Sequence, residues 1–170
     1  MRASVGIAIA GMLMGMAWSA NAGMSGSLSQ VLSLVNAARA EKGCQPLVVD
    51  ERLTKAAERE SRDMVDQAFF SHTEPDGTTP GDRVKDTGYT YQMIGENIEV
   101  DGDTVPETAF TNWMNSPGHR ANILTCAFRE TGIAVVRQTD GRPVGGVPSE
   151  YHYFWTQVFA MPFRTPTGTR

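Results

Sequence analysis

Apolar side chains recur at helical spacing in two early segments of the chain. In the first segment the pattern stops at Gly43, and its apolar positions are Leu28, Val31, Leu32, Val35 and Ala38. In the second segment Asp50 stands where a helix cap would stand, and the apolar positions that follow are Leu53, Ala56, Ala57 and Met64. Because residues three and four apart share one face of a helix, both segments are predicted to be amphipathic helices.

Proline and glycine mark three shorter helices further along the chain. Residues 80–88 begin with proline and end with glycine. Proline is common in the first turn of a helix and glycine just past its end, so a short helix is predicted here. Thr104 and Glu107 have the spacing of a capping box and predict a further helix. Its predicted buried face carries Val105, Ala109, Phe110, Trp113 and Met114. The proline after Ser116 ends that helix, and Ser116 is predicted to cap a last short helix through Ile123.

The last third of the chain has a pattern typical of β-strands. Residues 133–137 and 151–160 are rich in β-branched and aromatic side chains, and a Gly/Pro-rich loop joins them. In the second run, Tyr151, Tyr153, Trp155 and Phe159 share one face, while Phe154 and Val158 share the other. A strand that is apolar on both faces is covered on both faces. The prediction is an α+β domain with helices on both sides of a small antiparallel sheet, and residues 91–100 are left open as extended or irregular.

Residues 1–22 are predicted to be a secretory signal peptide. An arginine at position 2 precedes an apolar run over residues 5–18, and residues 20–22 form an A-x-A cleavage site. The apolar run is short and interrupted by glycines, so an uncleaved membrane anchor is the alternative that we disfavour. We therefore expect a secreted or periplasmic protein with no membrane span in the mature chain. Its single domain is predicted over residues 23–162, with a flexible tail over residues 163–170.

Charge and cysteine content narrow the choice of partner and chemistry. The chain has 15 basic and 19 acidic side chains, a net charge of −4 and no basic run, which argues against nucleic acid and anionic membrane as partners. Its two cysteines, Cys44 and Cys126, are an even number in a chain predicted to be exported, which favours a disulfide bond. A catalytic thiol is the alternative, but neither cysteine stands beside a histidine.

Three short polar motifs hold the candidate chemistry. They contain His72 in S-H-T-E-P-D-G, Glu96 in G-E-N-I, and His119 in N-S-P-G-H-R-A-N-I-L. Two imidazoles and a carboxylate can ligate a divalent ion or polarise a ligand if folding brings them together. His119 is predicted in the first turn of a helix, where free N–H groups lower the pKa of a histidine and keep it neutral. Each histidine also has a structural reading, His72 as a loop residue bonded to backbone and His119 as a residue packed on its neighbours.

Three further polar residues lie in or near these motifs. Asn97 follows Glu96 and can bond neighbouring backbone. Ser116 stands three residues before His119, as a nucleophile before its base would, but its capping role explains it better and no third member of a triad is evident. His152 is predicted on the strand face of Phe154, as a structural or surface residue.

The order of these motifs resembles the bacterial branch of the CAP superfamily. The matching stretches are F-S-H-T-E-P-D-G-T-T-P, G-E-N-I, W-M-N-S-P-G-H-R-A-N-I-L, E-T-G-I-A-V and Y-F-W-T-Q-V-F-A, within residues 28–162. The superfamily contains cysteine-rich secretory proteins, antigen 5 and plant pathogenesis-related 1 proteins, and its domain is also called SCP. The resemblance implies a three-layer α-β-α sandwich and a secreted protein without settled catalytic activity.

Family members often hold two histidines and two glutamates in a central cleft, and several bind zinc or another divalent ion there. By motif, His72, Glu96 and His119 match three of these residues, and Ser116 stands at the position of the second glutamate. The resemblance therefore implies a reduced site for Zn²⁺ or another divalent cation, completed by water, with Asn97 and Ser116 as further cleft residues.

Three functional hypotheses follow from these residues. The first is a secreted, monomeric, non-enzymatic CAP module that binds a small hydrophobic ligand such as a lipid or sterol, or a cell-envelope component. The second is a metal-dependent hydrolase, with zinc on His72 and His119 and with Glu96 as a third ligand or as general base. The third is a structural envelope protein in which the cluster is a buried polar network. We favour the first, because no complete catalytic set is present and only a site argues for an activity.

Overall fold

A computed structural model of the protein describes residues 16–148 and 150–163. The predicted tail lies outside these residues except for Phe163, and the predicted signal peptide lies outside them up to residue 15. The first helix begins at Met16 and runs through the predicted cleavage site, and the cleavage itself stays a prediction. Within the described ranges, none of the helices is long and apolar enough to span a membrane.

Helices and strands alternate irregularly along the described residues. In chain order they are α1 (Met16–Glu41), β1 (Val48–Val49), α2 (Glu51–Asp66), α3 (Pro80–Asp86), β2 (Tyr91–Asp101), α4 (Pro106–Asn115), α5 (Pro117–Ile123), β3 (Glu130–Arg137) and β4 (Tyr153–Pro162). Each of these five helices overlaps a segment with a predicted helix, although α1 begins twelve residues before the predicted pattern. The two predicted strands are β3 and β4, and the segment that was left open is strand β2.

Most of the helix starts agree with the predicted ones. Asp50 accepts a hydrogen bond from the backbone N–H of Arg52 at the start of α2. At the start of α3, Thr79 and Asp82 form a reciprocal capping box in front of the predicted proline. Ser116 is the N-cap residue of α5, as predicted, but its side chain makes no capping hydrogen bond.

The start of α4 differs from the prediction. The capping box expected from Thr104 and Glu107 is wrong, because Val105 is the N-cap residue and no side chain caps this helix. Asp103 accepts a hydrogen bond from the Val105 N–H at 2.9 Å, which turns the chain one residue later than expected. Val105 was predicted to be buried and is 44 % exposed. Glu107 instead accepts a hydrogen bond from Gln30 and so links α4 to α1.

The four strands form one sheet in the order β1-β3-β4-β2. Strand β4 lies between β3 and β2 and is antiparallel to both, as the predicted hairpin required. Glu96 of β2 and Gly132 of β3 lie opposite Val158 of β4 from either side. The two-residue strand β1 adds a parallel pairing with β3 that was not predicted, since it is too short to show a sequence pattern.

Helices cover both faces of this sheet, which confirms the three-layer arrangement. On one face α1, α4 and α5 pack on the sheet through a cluster that contains Trp113, Trp155 and Phe159. On the other face α2 and α3 pack on it through Leu53, Ala56, Ala57, Val84 and Val158. Phe154 also lies on this second face, in contact with residues of α2 and β2. The alternation predicted along β4 is therefore confirmed, and β4 is the centre of the core.

The predicted disulfide bond joins Cys44 and Cys126 across 82 residues of sequence. It links the segment after α1 to the segment after α5. At the same place the buried guanidinium of Arg39 donates hydrogen bonds to the carbonyl oxygens of Ile123 and Phe128, at 2.7 and 2.9 Å. The position of α5, which carries His119, is thus fixed by a covalent bond and by a buried cation.

Candidate functional site

The structure brings the three predicted site residues together. His72 lies in the loop after α2, Glu96 in the middle of β2, and His119 in the first turn of α5. The Nδ1 atom of His72 lies 2.9 Å from Oε1 of Glu96. The two imidazole rings meet edge to face, with 6.4 Å between their centroids. The cluster inferred from three separate motifs therefore exists as a contact in space.

Arg83, which the sequence reasoning missed, is the nearest charged neighbour of Glu96. Its Nη2 atom lies 3.1 and 3.0 Å from the two carboxylate oxygens of Glu96. The same nitrogen donates a hydrogen bond to the backbone oxygen of His72 at 3.0 Å. Arg83 is only 1 % exposed. One buried guanidinium therefore fixes both the carboxylate and the backbone of the histidine that this carboxylate contacts.

Two more carboxyl groups face the same guanidinium. Nη1 of Arg83 lies 3.3 Å from Oε1 of Glu74 and 2.8 Å from Oε2 of Glu60. Burial, and then the charge of Glu96, raise the pKa of Glu60 to about 9, against a smaller opposing effect of Arg83. Glu60 is therefore protonated at neutral pH, and Arg83 faces two charged carboxylates. At the outer side of Glu74 a second cation, Arg59, lies 3.7 Å away.

The sequence does carry a signal for Glu60. It lies four residues after Ala56 and four before Met64, on the stripe of α2 whose apolar members predicted the buried face. A carboxyl group on that stripe must be neutral or paired with a cation. Arg83 stands beside Val84 on a short helix, and both are buried against α2. A search for charged residues on predicted apolar faces would have found Glu60, but not its partner Arg83.

His119 is held in place from behind by two asparagines. The fully buried Asn97 donates a hydrogen bond to the backbone oxygen of His119 at 3.1 Å. Asn122 donates to the backbone oxygen of Glu96 at 3.1 Å and to Oδ1 of Asn97 at 2.9 Å. Gly95 makes this close approach possible, since a Cβ there would lie 2.9 Å from the side chain of Asn122. Asn97, predicted as a cleft residue, thus joins β2 to α5.

The ring of His119 is neutral at physiological pH. Burial, and to a lesser extent the nearby His72, lower the pKa of His119 below its ordinary value. Its Nδ1 atom is buried and has no hydrogen-bond partner among the described residues. Ser116, the other predicted cleft residue, lies at the junction of α4 and α5, and no hydrogen bond joins its side chain to the cluster in this part of the chain. His152 lies just before β4, away from the cluster, and its backbone N–H donates to Asp101.

A shallow groove opens beside His72. It has a volume of about 290 Å³ and is open to solvent along one side. Its walls are formed by His72, Pro80, Gly81, Ile94, Gly95 and Glu96. The side chain of His72 is 46 % exposed here, whereas that of Glu96 is 2 % exposed. The groove therefore meets a solvent-accessible imidazole, with the charged network behind it.

The residues of the cluster, as they are arranged, do not fit a divalent ion. Among the described residues no three His, Cys, Asp or Glu side chains are placed so that they could share a metal. Both oxygens of Glu96 already face Arg83, and one also contacts His72. A cation at Glu96 would have to displace the guanidinium or lie beside it. Metal binding by His72, Glu96 and His119 stays a prediction for titration to test.

Comparison with known proteins agrees with this architecture. The family model described as "CAP: Cysteine-rich secretory protein family" matches residues 32–159. Uncharacterized protein YkwD of Bacillus subtilis is 41 % identical over 141 residues, which are 83 % of this chain and 49 % of YkwD. Uncharacterized membrane protein YlbC of the same organism is 32 % identical over 115 residues, which are 66 % of this chain and 32 % of YlbC. The chain thus spans about half of YkwD and a third of YlbC.

Two solved structures extend the comparison to the fold. An extracellular protein from Bacillus anthracis that contains an SCP domain superposes with a TM-score of 0.66 at 30 % identity, over 81 % of this chain and 41 % of that one. An outer surface protein of Borrelia burgdorferi superposes with a TM-score of 0.68 at 18 % identity, over 80 % of this chain and 92 % of that one. The second likeness shows the fold alone. Sequence and fold together establish that this chain belongs to the cysteine-rich secretory protein family, with its CAP domain over residues 32–159.

Proposed function

We propose that this CAP domain is an extracellular, non-enzymatic module that binds a component of the cell envelope in the groove beside His72. The extracellular setting is supported by the predicted signal peptide and by the structural relatives, one described as an extracellular protein and one as an outer surface protein. A further support is the disulfide bond, which is typical of oxidising compartments.

The contact between His72 and Glu96 is the observation that carries this proposal. A carboxylate that faces a guanidinium accepts hydrogen bonds, so Nδ1 of His72 is the donor in the 2.9 Å contact. In the neutral form of the ring, a proton on Nδ1 leaves the lone pair on Nε2, which can accept a hydrogen bond from a ligand. Because Arg83 fixes Glu96, the hydrogen bond to Glu96 holds the ring of His72 in one tautomer and one orientation. Such a groove recognises a hydroxyl or an amide N–H.

Among the described residues, no hydrogen bond joins a nucleophilic side chain to Nδ1 of either histidine. Both cysteines are in the disulfide bond. In the described ranges, the ring of His72 is hydrogen-bonded to Glu96 through Nδ1, and Nδ1 of His119 has no hydrogen-bond partner. A nucleophile and its base must lie within hydrogen-bond reach of each other. These observations support binding over covalent hydrolysis.

The size and lining of the groove favour one ligand class among those predicted. Pockets that enclose whole small molecules have volumes of about 300–1,000 Å³, so an open groove of about 290 Å³ covers only part of a ligand. A lipid tail or a sterol would leave most of its apolar surface in water. A sugar residue of a glycan strand offers hydroxyl donors for His72 and an apolar ring face for Ile94 and Pro80. The glycan of the cell envelope is therefore the ligand we propose.

Titration of the ¹⁵N-labelled protein with chitohexaose tests this proposal. We expect saturable NMR shifts at the amides of Gly81, Gly95 and Glu96. The His72→Ala variant should bind about tenfold more weakly, as expected for loss of one hydrogen bond. The matched control, His152→Ala, removes an imidazole away from the groove and should bind like wild type. Shifts that occur only with phosphatidylglycerol vesicles, or no shifts at these amides, would show that the glycan proposal is wrong.

A structural role for the cluster is the second candidate. The burial of Arg83, Glu60, Glu74 and Glu96 favours it, because these side chains connect α2, α3 and β2 whether or not a ligand binds. The two functions predict different behaviour for the exposed His72. If the cluster is purely structural, His72→Ala should lower the free energy of unfolding and leave ligand binding unchanged. If the groove binds a ligand, His72→Ala should weaken binding and leave the free energy of unfolding unchanged.

A further inference from the structure

The buried guanidinium of Arg83 lies against the carboxylate of Glu96, which is the group that a metal ion would bind. Nη2 lies within 3.1 Å of both oxygens of Glu96 and donates to the backbone of His72. We propose that Arg83 is the resident cation of this cleft, and that it makes ligand binding in the groove independent of divalent metal. The part of this inference that concerns ligand binding rests on the proposed function. The part that concerns exclusion of a metal ion does not.

Electrostatics oppose a second cation at this position. The side chain of Arg83 is 1 % exposed and that of Glu96 is 2 % exposed, so water cannot screen a charge placed between them. A divalent ion on Glu96 would lie against a guanidinium that cannot lose its proton. The ion would also compete with the planar guanidinium of Arg83 for the two carboxylate oxygens of Glu96.

Arg83 already supplies a positive charge to the carboxyl groups of the cleft. The groups that face it are Glu60, Glu74, Glu96 and the backbone of His72, and Arg59 approaches Glu74 from outside. Burial keeps the pKa of Glu60 high, about 9, so this carboxyl is neutral. Glu74 and Glu96 are then the carboxylate partners of Arg83, while Arg59 also pairs with Asp63 and Asp86. A divalent ion on Glu96 would place a second cation beside this buried guanidinium.

The local fold places Arg83 independently of any ligand. Thr79 and Asp82 form the capping box that starts α3, and Pro80 fixes its first turn. Arg83 follows directly and is packed beside the fully buried Val84. The cation is therefore held by a helix with its own start signals, and its removal would leave Glu96 free to act as a ligand.

Removal of Arg83 should turn the cleft into a metal site. In an Arg83→Gln variant, Glu96, His72 and Nδ1 of His119, which has no hydrogen-bond partner among the described residues, would supply three donors. Zinc affinity measured by calorimetry should rise at least tenfold over wild type. The rise should disappear in Arg83→Gln combined with His72→Ala. An Arg83→Lys variant keeps a positive charge and should exclude zinc as wild type does.

The decisive titrations use zinc alone and chitohexaose separately. Wild type should take up no zinc at the cluster, judged by unchanged NMR signals of His72 and His119, and its affinity for chitohexaose should agree within twofold in EDTA and in zinc. Zinc bound stoichiometrically by wild type at these histidines would overturn the inference. So would an Arg83→Gln variant that folds but binds zinc no more tightly than wild type. If that variant does not fold, the wild-type zinc titration decides alone. Failure to bind chitohexaose would affect only the proposed function, because the zinc titrations do not depend on it.

Discussion

Replacing Glu60 with glutamine is expected to stabilise the protein at alkaline pH and to change little near pH 5. Glu60 is fully buried, and burial together with the charge of Glu96 raises its pKa from 4.5 to about 9. Between these two values the native state keeps the proton and the unfolded state loses it, so the stability falls as the pH rises. Glutamine has nearly the same shape and cannot ionise, so this loss should be absent in the variant.

The size of the effect follows from the width of that pH window. Each pH unit inside it changes the free energy of unfolding by about 1.4 kcal/mol. From about pH 5 to about pH 8 the advantage of Glu60→Gln should therefore grow by about 4 kcal/mol, as an upper bound. Burial also raises the pKa of Glu99 to about 7 and of Asp101 to about 6. As the pH rises, these two groups lower the stability of wild type and of Glu60→Gln by the same amount. The difference between the two proteins isolates Glu60.

Urea unfolding of wild type and Glu60→Gln across this pH range measures the difference. Glu58→Gln is the matched control, since Glu58 lies on the exposed side of the same helix and should follow wild type at every pH. A constant difference between Glu60→Gln and wild type across the range would refute the reasoning. So would a wild type that is the more stable protein at about pH 8, because Glu60 would then be an ionised partner of Arg83.

Three further predictions concern the framework of the site. Replacing Cys44 and Cys126 together with serine removes a link across 82 residues and should cost about 4.5 kcal/mol of unfolding free energy on the chain-entropy model, measured by urea unfolding. Gly132→Ala would place a Cβ 2.1 Å from the backbone of α2 and should cost about 3 kcal/mol or prevent folding, whereas Gly118→Ala, which meets nothing within 4 Å, should be tolerated on thermal unfolding. Asn97→Ala should cost about 1–3 kcal/mol and increase hydrogen exchange in α5, because buried hydrogen-bond partners lose their donor and acceptor.

Patterns that arise within one element were predictable from the sequence, and so was the pairing of the chain's two cysteines. Asp50 caps α2 because a short acceptor side chain before an amphipathic run has few other roles. The alternation of Trp155 with Phe154 along β4 placed the core on both faces of the sheet. The even cysteine count predicted the bond between Cys44 and Cys126. In each case the physical cause lies in spacing or in residue type alone.

Features that depend on distant partners were predicted poorly. The start of α4 was assigned to Thr104 from spacing, but the turn made by Asp103 moved it by one residue. Arg83 was passed over because its partners Glu60, Glu74 and Glu96 come from three other segments of the chain. Local sequence cannot state which carboxylate a buried cation meets. The fold decides this, and with it whether Glu96 is free to hold a metal.

The tautomer of His72 tests the central claim most directly. Long-range ¹H–¹⁵N NMR correlation at neutral pH distinguishes a protonated Nδ1 from a protonated Nε2. If Glu96, held by Arg83, accepts the hydrogen bond from His72, the neutral form of the ring will carry its proton on Nδ1 and a free lone pair on Nε2. A neutral ring with its proton on Nε2, or a ring exchanging freely between tautomers, would contradict the account of this groove.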